Sequence, residues 1–255
     1  MRAAGSAKTL SRWQAAGAHL LVSVAIAAVI VTVLLVVWYP GPLFDAAGSD
    51  GLRYILVGAI LGPLLTLVVF KSGKRGLRFD LTMISLVQIA ALVYGVSIAF
   101  LARPAFMVFV KDRFELVTAG ELDPAELAAA KYPQFRTPGW TGPELVAADT
   151  PTESKERSRL INAALEGLDL QHFPRYYTPY AERTREVLAK ADNVARLRAA
   201  EPVSAKAVDI YLSSSGTREE DVRVLMLRTR SAWVVVLIDP KTAQPVKMLL
   251  GEKIE

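Results

Sequence analysis

The sequence contains no cysteine and only two histidines, His19 and His172. Disulfides, thiol nucleophiles and Cys-ligated metals are therefore excluded, and so are multi-histidine zinc sites. The absence of cysteine suits either side of a membrane and does not assign a compartment. No Gly-x-Ser-x-Gly elbow, Walker A loop or dinucleotide fingerprint occurs anywhere in the chain. His172 follows Leu170-Gln171 in an aromatic segment, and a single histidine without triad partners reads as structural. The densest acidic cluster, Glu219-Glu220-Asp221, lies just after Ser213-Ser214-Ser215-Gly216 and reads as a solvated turn rather than a catalytic carboxylate pair. The expectation is a protein that is not an enzyme, with no catalytic residue, no cofactor and no metal site.

Charge is also scarce, but only in the first two fifths of the chain. Residues 1 to 102 carry 8 Lys/Arg and 3 Asp/Glu, whereas residues 103 to 255 carry 22 of each. The whole net charge of +5 thus sits beside the apolar part. A charge-balanced globular region lacks the basic footprint needed for a phosphate backbone, so nucleic acid is not an expected partner.

Three apolar runs fill the charge-poor part. Residues 17 to 39 contain no charged residue and exceed the roughly 20 residues that cross a bilayer. This run is too long for a signal-peptide core, and it ends in Trp38-Tyr39-Pro40-Gly41-Pro42, an interfacial aromatic pair followed by a helix-stopping turn. The second run covers about residues 52 to 70. Gly58 and Gly62 form a GxxxG spacing there, and Pro63 predicts a kink; close helix packing and simple tolerance of Gly and Pro in membrane helices are both open readings. The third covers about residues 81 to 101, with Asp80 as its N-cap and Gln88, Tyr94 and Gly95 inside. Apart from Arg53 at the edge of the second run, no Asp, Glu, Lys or Arg lies inside the runs, which argues against a pump or transporter. Arg2, Lys8 and Arg12 precede the first run, and Lys71, Lys74, Arg75 and Arg78 crowd the loop between the second and third. Positive flanks face the cytoplasm, so the expected topology is residues 1 to 16 inside, three spans over 17 to 102, and residues 103 to 255 outside, in the periplasm of a Gram-negative cell.

The region after residue 102 predicts a small α+β domain with a mainly antiparallel sheet. Residues 105 to 117 read as one strand. Asp123-Pro124 with Glu126 reads as N-cap, N1 and N3 of a short helix, and the Pro/Gly-rich residues 132 to 151 as loop. Helices are expected over 152 to 167, with Leu160, Ile161, Ala164, Leu165 and Leu168 on one face, and over 180 to 198. Strands are expected over 207 to 212, 222 to 228, 232 to 238 and 245 to 250, the last two joined as a hairpin through Asp239-Pro240-Lys241-Thr242-Ala243. Between the helices lies His172-Phe173-Pro174-Arg175-Tyr176-Tyr177-Thr178-Pro179-Tyr180. Phe173, Arg175, Tyr176, Tyr177 and Tyr180 are the candidate partner contacts, because exposed Tyr and Arg dominate binding hot spots. The competing reading is that the rings cap the core beneath a rigid loop.

WYPGPLF (38–44), GPLLTLVVFKSGKRGLRFDL (62–81), QIAALVYG (88–95), RPAFMVFVKDRFELV (103–117), PRYYTPY (174–180) and VVLIDPKTAQPV (235–246) together resemble the type IV pilin accessory proteins, the FimB-like or TfpZ-like family. The resemblance covers nearly the whole chain. It departs at Ser72, where the family commonly has proline, and before Leu10, where the chain looks unlike the family. The resemblance implies an inner-membrane accessory role in type IV pilus biogenesis, with a pilin or pilus assembly components and membrane lipids as partners. It carries no catalytic residue. A pilin itself is not implied, since the first run lacks the prepilin cleavage pattern and its early glutamate. The competing function is a membrane-embedded enzyme that modifies pilin, for example by glycan transfer, for which the loop between the first two runs offers only Asp45 and Asp50.

Overall fold

A computed structural model describes residues 11–45, 49–71 and 75–254. Ser72 and the whole segment before Leu10 lie outside the described residues. The chain divides into two compact units, one formed by Met1–Val33 with Asp50–Ala99 and the other by Leu34–Ser49 with Phe100–Glu255.

The first unit is helical. Helix α1 (Arg12–Val33) runs on as a wider π turn over Leu34–Trp38, closed by the Tyr39 N–H donating to the Leu34 carbonyl at 2.8 Å. Helix α2 spans Ser49–Val69 and α3 spans Leu77–Ala102. The continuous helix Arg12–Trp38 has 27 residues and a mean hydropathy of 3.2, and α3 has 26 residues and 2.2. These two are long and apolar enough to cross a membrane. The second expected span falls on α2, whose apolar stretch among the described residues is only Ala59–Val69, about half of a bilayer core at 1.5 Å per residue, so a three-helix anchor is not established. Helix α2 runs through Pro63 without a break.

Polar side chains inside this unit find one another. His19 Nδ1 and Thr66 Oγ1 are 2.7 Å apart, and the Gln88 amide donates to Ser23 Oγ at 3.1 Å. Thr66 and Ser23 are buried. Gly62 lies against the Gln88 side chain so closely that a methyl group there would sit 2.1 Å from Gln88 Oε1. The atoms met are the far end of the Gln88 side chain, which can swing aside, so both readings of this glycine stay open. Gly58 lies within α2, and its surroundings fall outside the described residues.

The second unit is built on a seven-stranded sheet ordered β4-β3-β1-β2-β5-β6-β7. Its strands are β1 (Pro104–Val110), β2 (Arg113–Thr118), β3 (Glu144–Ala148), β4 (Tyr177–Pro179), β5 (Arg223–Arg228), β6 (Ala232–Ile238) and β7 (Pro245–Lys253). The helices are α4 (Pro124–Ala128), α5 (Ser154–Leu165), α6 (Thr184–Lys190), α7 (Val194–Ala200) and α8 (Pro202–Ser215). The α+β class holds, but the sheet is mixed: β1 runs parallel to β3 and β2 parallel to β5, while the other pairings are antiparallel. A crossover of this kind leaves no local turn signature, so a reading based on hairpins cannot see it.

Strand β1 is buried at all seven positions, the mark of a central strand covered on both faces. One side carries Phe106, Val108, Val117, Phe135, Val146 and Tyr177. A second cluster seats Val194, Leu197, Ala205 and Val208 from α7 and α8 on Val224, Val235 and Leu237.

Several local expectations change. The single strand over 105 to 117 is a hairpin, turned at Lys111-Asp112 with Lys111 at φ +57°. The strand over 207 to 212 is part of α8: Pro202 sits at its first turn, Ala205 and Val208 face the sheet, and Gly216 ends it at φ +69°. The helix over 180 to 198 breaks at Ala191-Asp192-Asn193, where Asp192 bridges to Val224 and the Asn193 side chain caps α7 by accepting from Arg196 N–H at 2.8 Å. The loop 132 to 151 contains a 3-10 turn, Pro133–Arg136, and β3. Asp123 caps α4 as expected, accepting from Ala125 N–H at 2.8 Å with Pro124 following. The β6–β7 hairpin also forms as expected, with Asp239 Oδ1 accepting from the N–H groups of Lys241 and Thr242 at 2.7 and 2.9 Å.

Strand β7 is an edge strand whose register against β6 shifts near both ends. Gly251 lies at one of these shifts, where a Cβ would stand 2.9 Å from the Trp233 carbonyl oxygen and 2.8 Å from Ser204 Oγ. Backbone cannot swing away, so Gly251→Val is expected to destabilise this unit by about 1–3 kcal/mol. Urea unfolding followed by circular dichroism checks this, and an unchanged midpoint would contradict it.

Candidate functional site

The segment from Leu170 to Arg183 is a chain of short turns: 3-10 turns at Leu170–His172 and Pro174–Tyr176, then β4, then a further turn at Tyr180–Arg183. Pro174 and Pro179 stop any longer helix and hold the rings in fixed directions. His172 Nδ1 accepts from the Asp169 N–H at 3.1 Å and so closes the first turn.

The candidate contact residues separate by burial. Tyr177 is fully buried, with its ring centroid 5.2 Å from Phe106 and 6.2 Å from Phe135, and its hydroxyl donates to the Gln171 carbonyl. Tyr180 is buried against Phe114, and its hydroxyl donates to the Ala243 carbonyl at 2.5 Å. Phe173 is buried beside Tyr176. Burial raises the pKa of the Tyr177 and Tyr180 phenols well above the ordinary value, with the Glu121 charge adding to the effect at Tyr177. These three rings fill the interior, as the core-capping reading requires. Arg175 and Tyr176 remain partly exposed.

Arg175 and Tyr176 belong to an ionic cluster that the sequence did not suggest. Glu126 of α4 is buried, and Arg175 grips it with two hydrogen bonds, Nε to Oε2 at 2.5 Å and Nη2 to Oε1 at 3.0 Å. Arg159 of α5 donates to the same carboxylate at 2.5 Å. Arg175 also lies 3.9 Å from Glu156, which accepts from the Tyr176 hydroxyl. That hydrogen bond and the nearby Arg159 and Arg175 lower the Glu156 pKa. Burial, followed by the bond to Glu156, pushes the Tyr176 phenol up to about 12. In the sequence Glu126 reads only as N3 of a short helix. The missed signal is its place in a short helix beside Leu127, on the side that meets the core.

The cluster holds α5 in place. No residue of α5 is buried, and only Leu160 packs on the core. Most of its apolar face is open, with Ile161 65% and Leu165 84% exposed. Chemically, the cluster pairs two guanidiniums with two carboxylates and presents no nucleophile. Among the described residues, no group of three His, Asp or Glu could hold a metal ion.

The motif Trp38-Tyr39-Pro40-Gly41-Pro42-Leu43-Phe44 is also more than an interfacial belt. Trp38, Tyr39 and Leu43 are buried in the second unit, the Tyr39 hydroxyl donates to the Ala102 carbonyl at 2.8 Å, and Gly41 turns the chain at φ +63°.

The family model for fimbrial assembly protein FimB matches residues 7–48, a stretch that includes this motif and begins three residues before Leu10. A fimbrial assembly protein of serogroup I from Dichelobacter nodosus is 30% identical over 184 residues, covering 71% of both chains. The chain belongs to the FimB fimbrial assembly protein family. Another relative from the same organism, the serogroup E1 fimbrial assembly protein, is 29% identical over the same share of both chains. The fimbrial assembly protein of serogroups C1 and C2 is 32% identical over 118 residues, covering 45% of this chain and 90% of that relative. No solved structure matches the chain. The FimB family profile ends soon after the first helix, so the sheet unit is tied to the family by the longer relatives.

Proposed function

We propose that this protein is an inner-membrane accessory factor for type IV pilus biogenesis, acting by contact with pilin or pilus assembly components rather than by catalysis. The observation that carries the proposal is the similarity to fimbrial assembly proteins over 71% of the chain. Helices α1 and α3 support the membrane location, and α2 supplies the third span of the proposed topology. The basic residues before α1 and between α2 and α3 then face the cytoplasm, and residues 103 to 255 face the periplasm.

The chain has no native cysteine, so single cysteines report topology directly. Lys241→Cys is expected to react with a membrane-impermeant maleimide on intact spheroplasts, and Ser11→Cys only after permeabilisation. Both residues are exposed. Equal labelling of the two, or the reverse order, would overturn the three-span arrangement.

Deletion of the gene is expected to reduce surface pili seen by electron microscopy, and full-length protein in detergent is expected to co-purify the cognate pilin. Normal piliation together with no recovered pilin would sink the proposal. A changed pilin mass in the deletion strain would instead favour the enzymatic alternative.

A further inference from the structure

The sheet unit carries one large, exposed aromatic side chain that the pilus reading leaves without a role. Trp140 is 72% exposed at the tip of Thr137-Pro138-Gly139-Trp140-Thr141-Gly142, a loop with no charged residue. The loop is tied down at several points. Arg103 is buried, donates to the Gly139 carbonyl from Nε at 3.3 Å and from Nη2 at 3.2 Å, and donates to the Phe100 carbonyl from Nη1 at 2.6 Å. Its guanidinium lies 3.7 Å from the Phe100 ring centroid. The Trp140 ring stands 4.9 Å from Phe100, which in turn stands 5.6 Å from Trp38. Gly142 approaches Pro40 so closely that a Cβ there would lie 3.0 Å from the proline ring.

Phe100 and Trp38 are not arbitrary neighbours. They lie in the last turns of α3 and of the helix ending at Trp38, the two segments long enough to span a bilayer. Helices of 27 and 26 residues reach about 40 Å, beyond the roughly 30 Å of hydrocarbon, so their last turns lie among the headgroups. A loop fastened to those turns sits at the same depth. Indole favours this zone, because its apolar rings and its N–H donor meet an environment that is oily on one side and wet on the other. Water alone does not account for a pinned, uncharged loop that holds a tryptophan outward.

We infer that Trp140 is a membrane-interface anchor, inserted into the headgroup region of the bilayer leaflet on the side of the sheet unit and fixing the height of that unit above the lipid. The bound partner is a phospholipid surface. The inference rests on the reading of α1 and α3 as spans.

The test uses the full chain in vesicles of phosphatidylethanolamine and phosphatidylglycerol, with brominated lipids carrying bromine at shallow or deep acyl positions. With Trp13, Trp38 and Trp233 replaced by phenylalanine, Trp140 is the sole emitter. Its emission is expected to lie to the blue of aqueous indole and to be quenched more by shallow bromines than by deep ones, with little quenching by iodide. In case that background folds poorly, the difference between the unmodified chain and Trp140→Phe must show the same loss of a shallow-quenched component. A control emitter, Val29→Trp in a background lacking the four native tryptophans, reports the middle of α1. If this control is quenched by deep bromines while Trp140 stays aqueous, or becomes shielded only when pilin is added, the anchor is refuted and the spans stand. If the control is aqueous, the span reading fails and the anchor fails with it.

Discussion

Tyr177→Ala is expected to remove about 3–5 kcal/mol from the stability of the sheet unit, the usual cost of deleting a large aromatic from a filled core. Nothing of the ring reaches solvent, and Phe106 and Phe135 pack against it edge-on from a central strand and a neighbouring turn. Water cannot fill the resulting cavity favourably, because its walls are apolar. A small domain has only about 5–15 kcal/mol in total, so the variant sits at the edge of folding. Tyr177→Phe separates the two contributions. It retains the ring and leaves the Gln171 carbonyl without its donor, at an expected cost of about 1–3 kcal/mol. Pulse proteolysis across a urea series on the detergent-solubilised chain measures both variants. Two curves superimposable on that of the parent would show that the ring is not a core anchor and would return the segment to the surface.

Glu126→Ala is expected to be the next most damaging change, for an electrostatic reason. It leaves two guanidiniums, those of Arg159 and Arg175, facing each other where a carboxylate had joined them. Breaking a buried ion pair on one side costs about 3–5 kcal/mol. Here the arginines are partly open to water, which screens their repulsion and brings the expectation to about 2–3 kcal/mol. Removing both sides of the grip, as in Glu126→Met with Arg175→Met, is expected to recover at least about 1 kcal/mol relative to the sum of the single changes. Hydrogen exchange gives the spatial readout. Because α5 buries no residue of its own, its amides are expected to lose protection first in Glu126→Ala while those of β1 keep theirs. Uniform loss across both elements would show that the cluster is not a local clasp.

What could be read in the sequence, and what could not, follows from the range of the forces involved. The α4 start at Asp123-Pro124 and the β6–β7 turn at Asp239 were legible because each is closed by hydrogen bonds within three residues. The family motifs were legible as a resemblance, and the relatives bear it out. Strand β1 and its partner were read as one because the reversal needs only two polar residues, Lys111-Asp112, inside a valine- and phenylalanine-rich run. The α8 segment reads as a strand because a short apolar stretch fits both periods, and the sheet beneath it decides. The face of α5 and the grip on Glu126 depend on partners 33 and 49 positions away in the chain, and no local pattern encodes such distances. The pairing of β1 with β3 and of β2 with β5 belongs to the same class.

The sheet's two margins differ in form but act alike. Strand β4 has three residues and ends in Pro179, while β7 keeps only the four positions from Lys247 to Leu250 in unbroken register with β6. An incoming chain would find too little straight backbone on either side to extend the ladder. Such blunt margins leave side chains, rather than edge backbone, as the means by which this unit can hold another protein without being joined into a growing sheet.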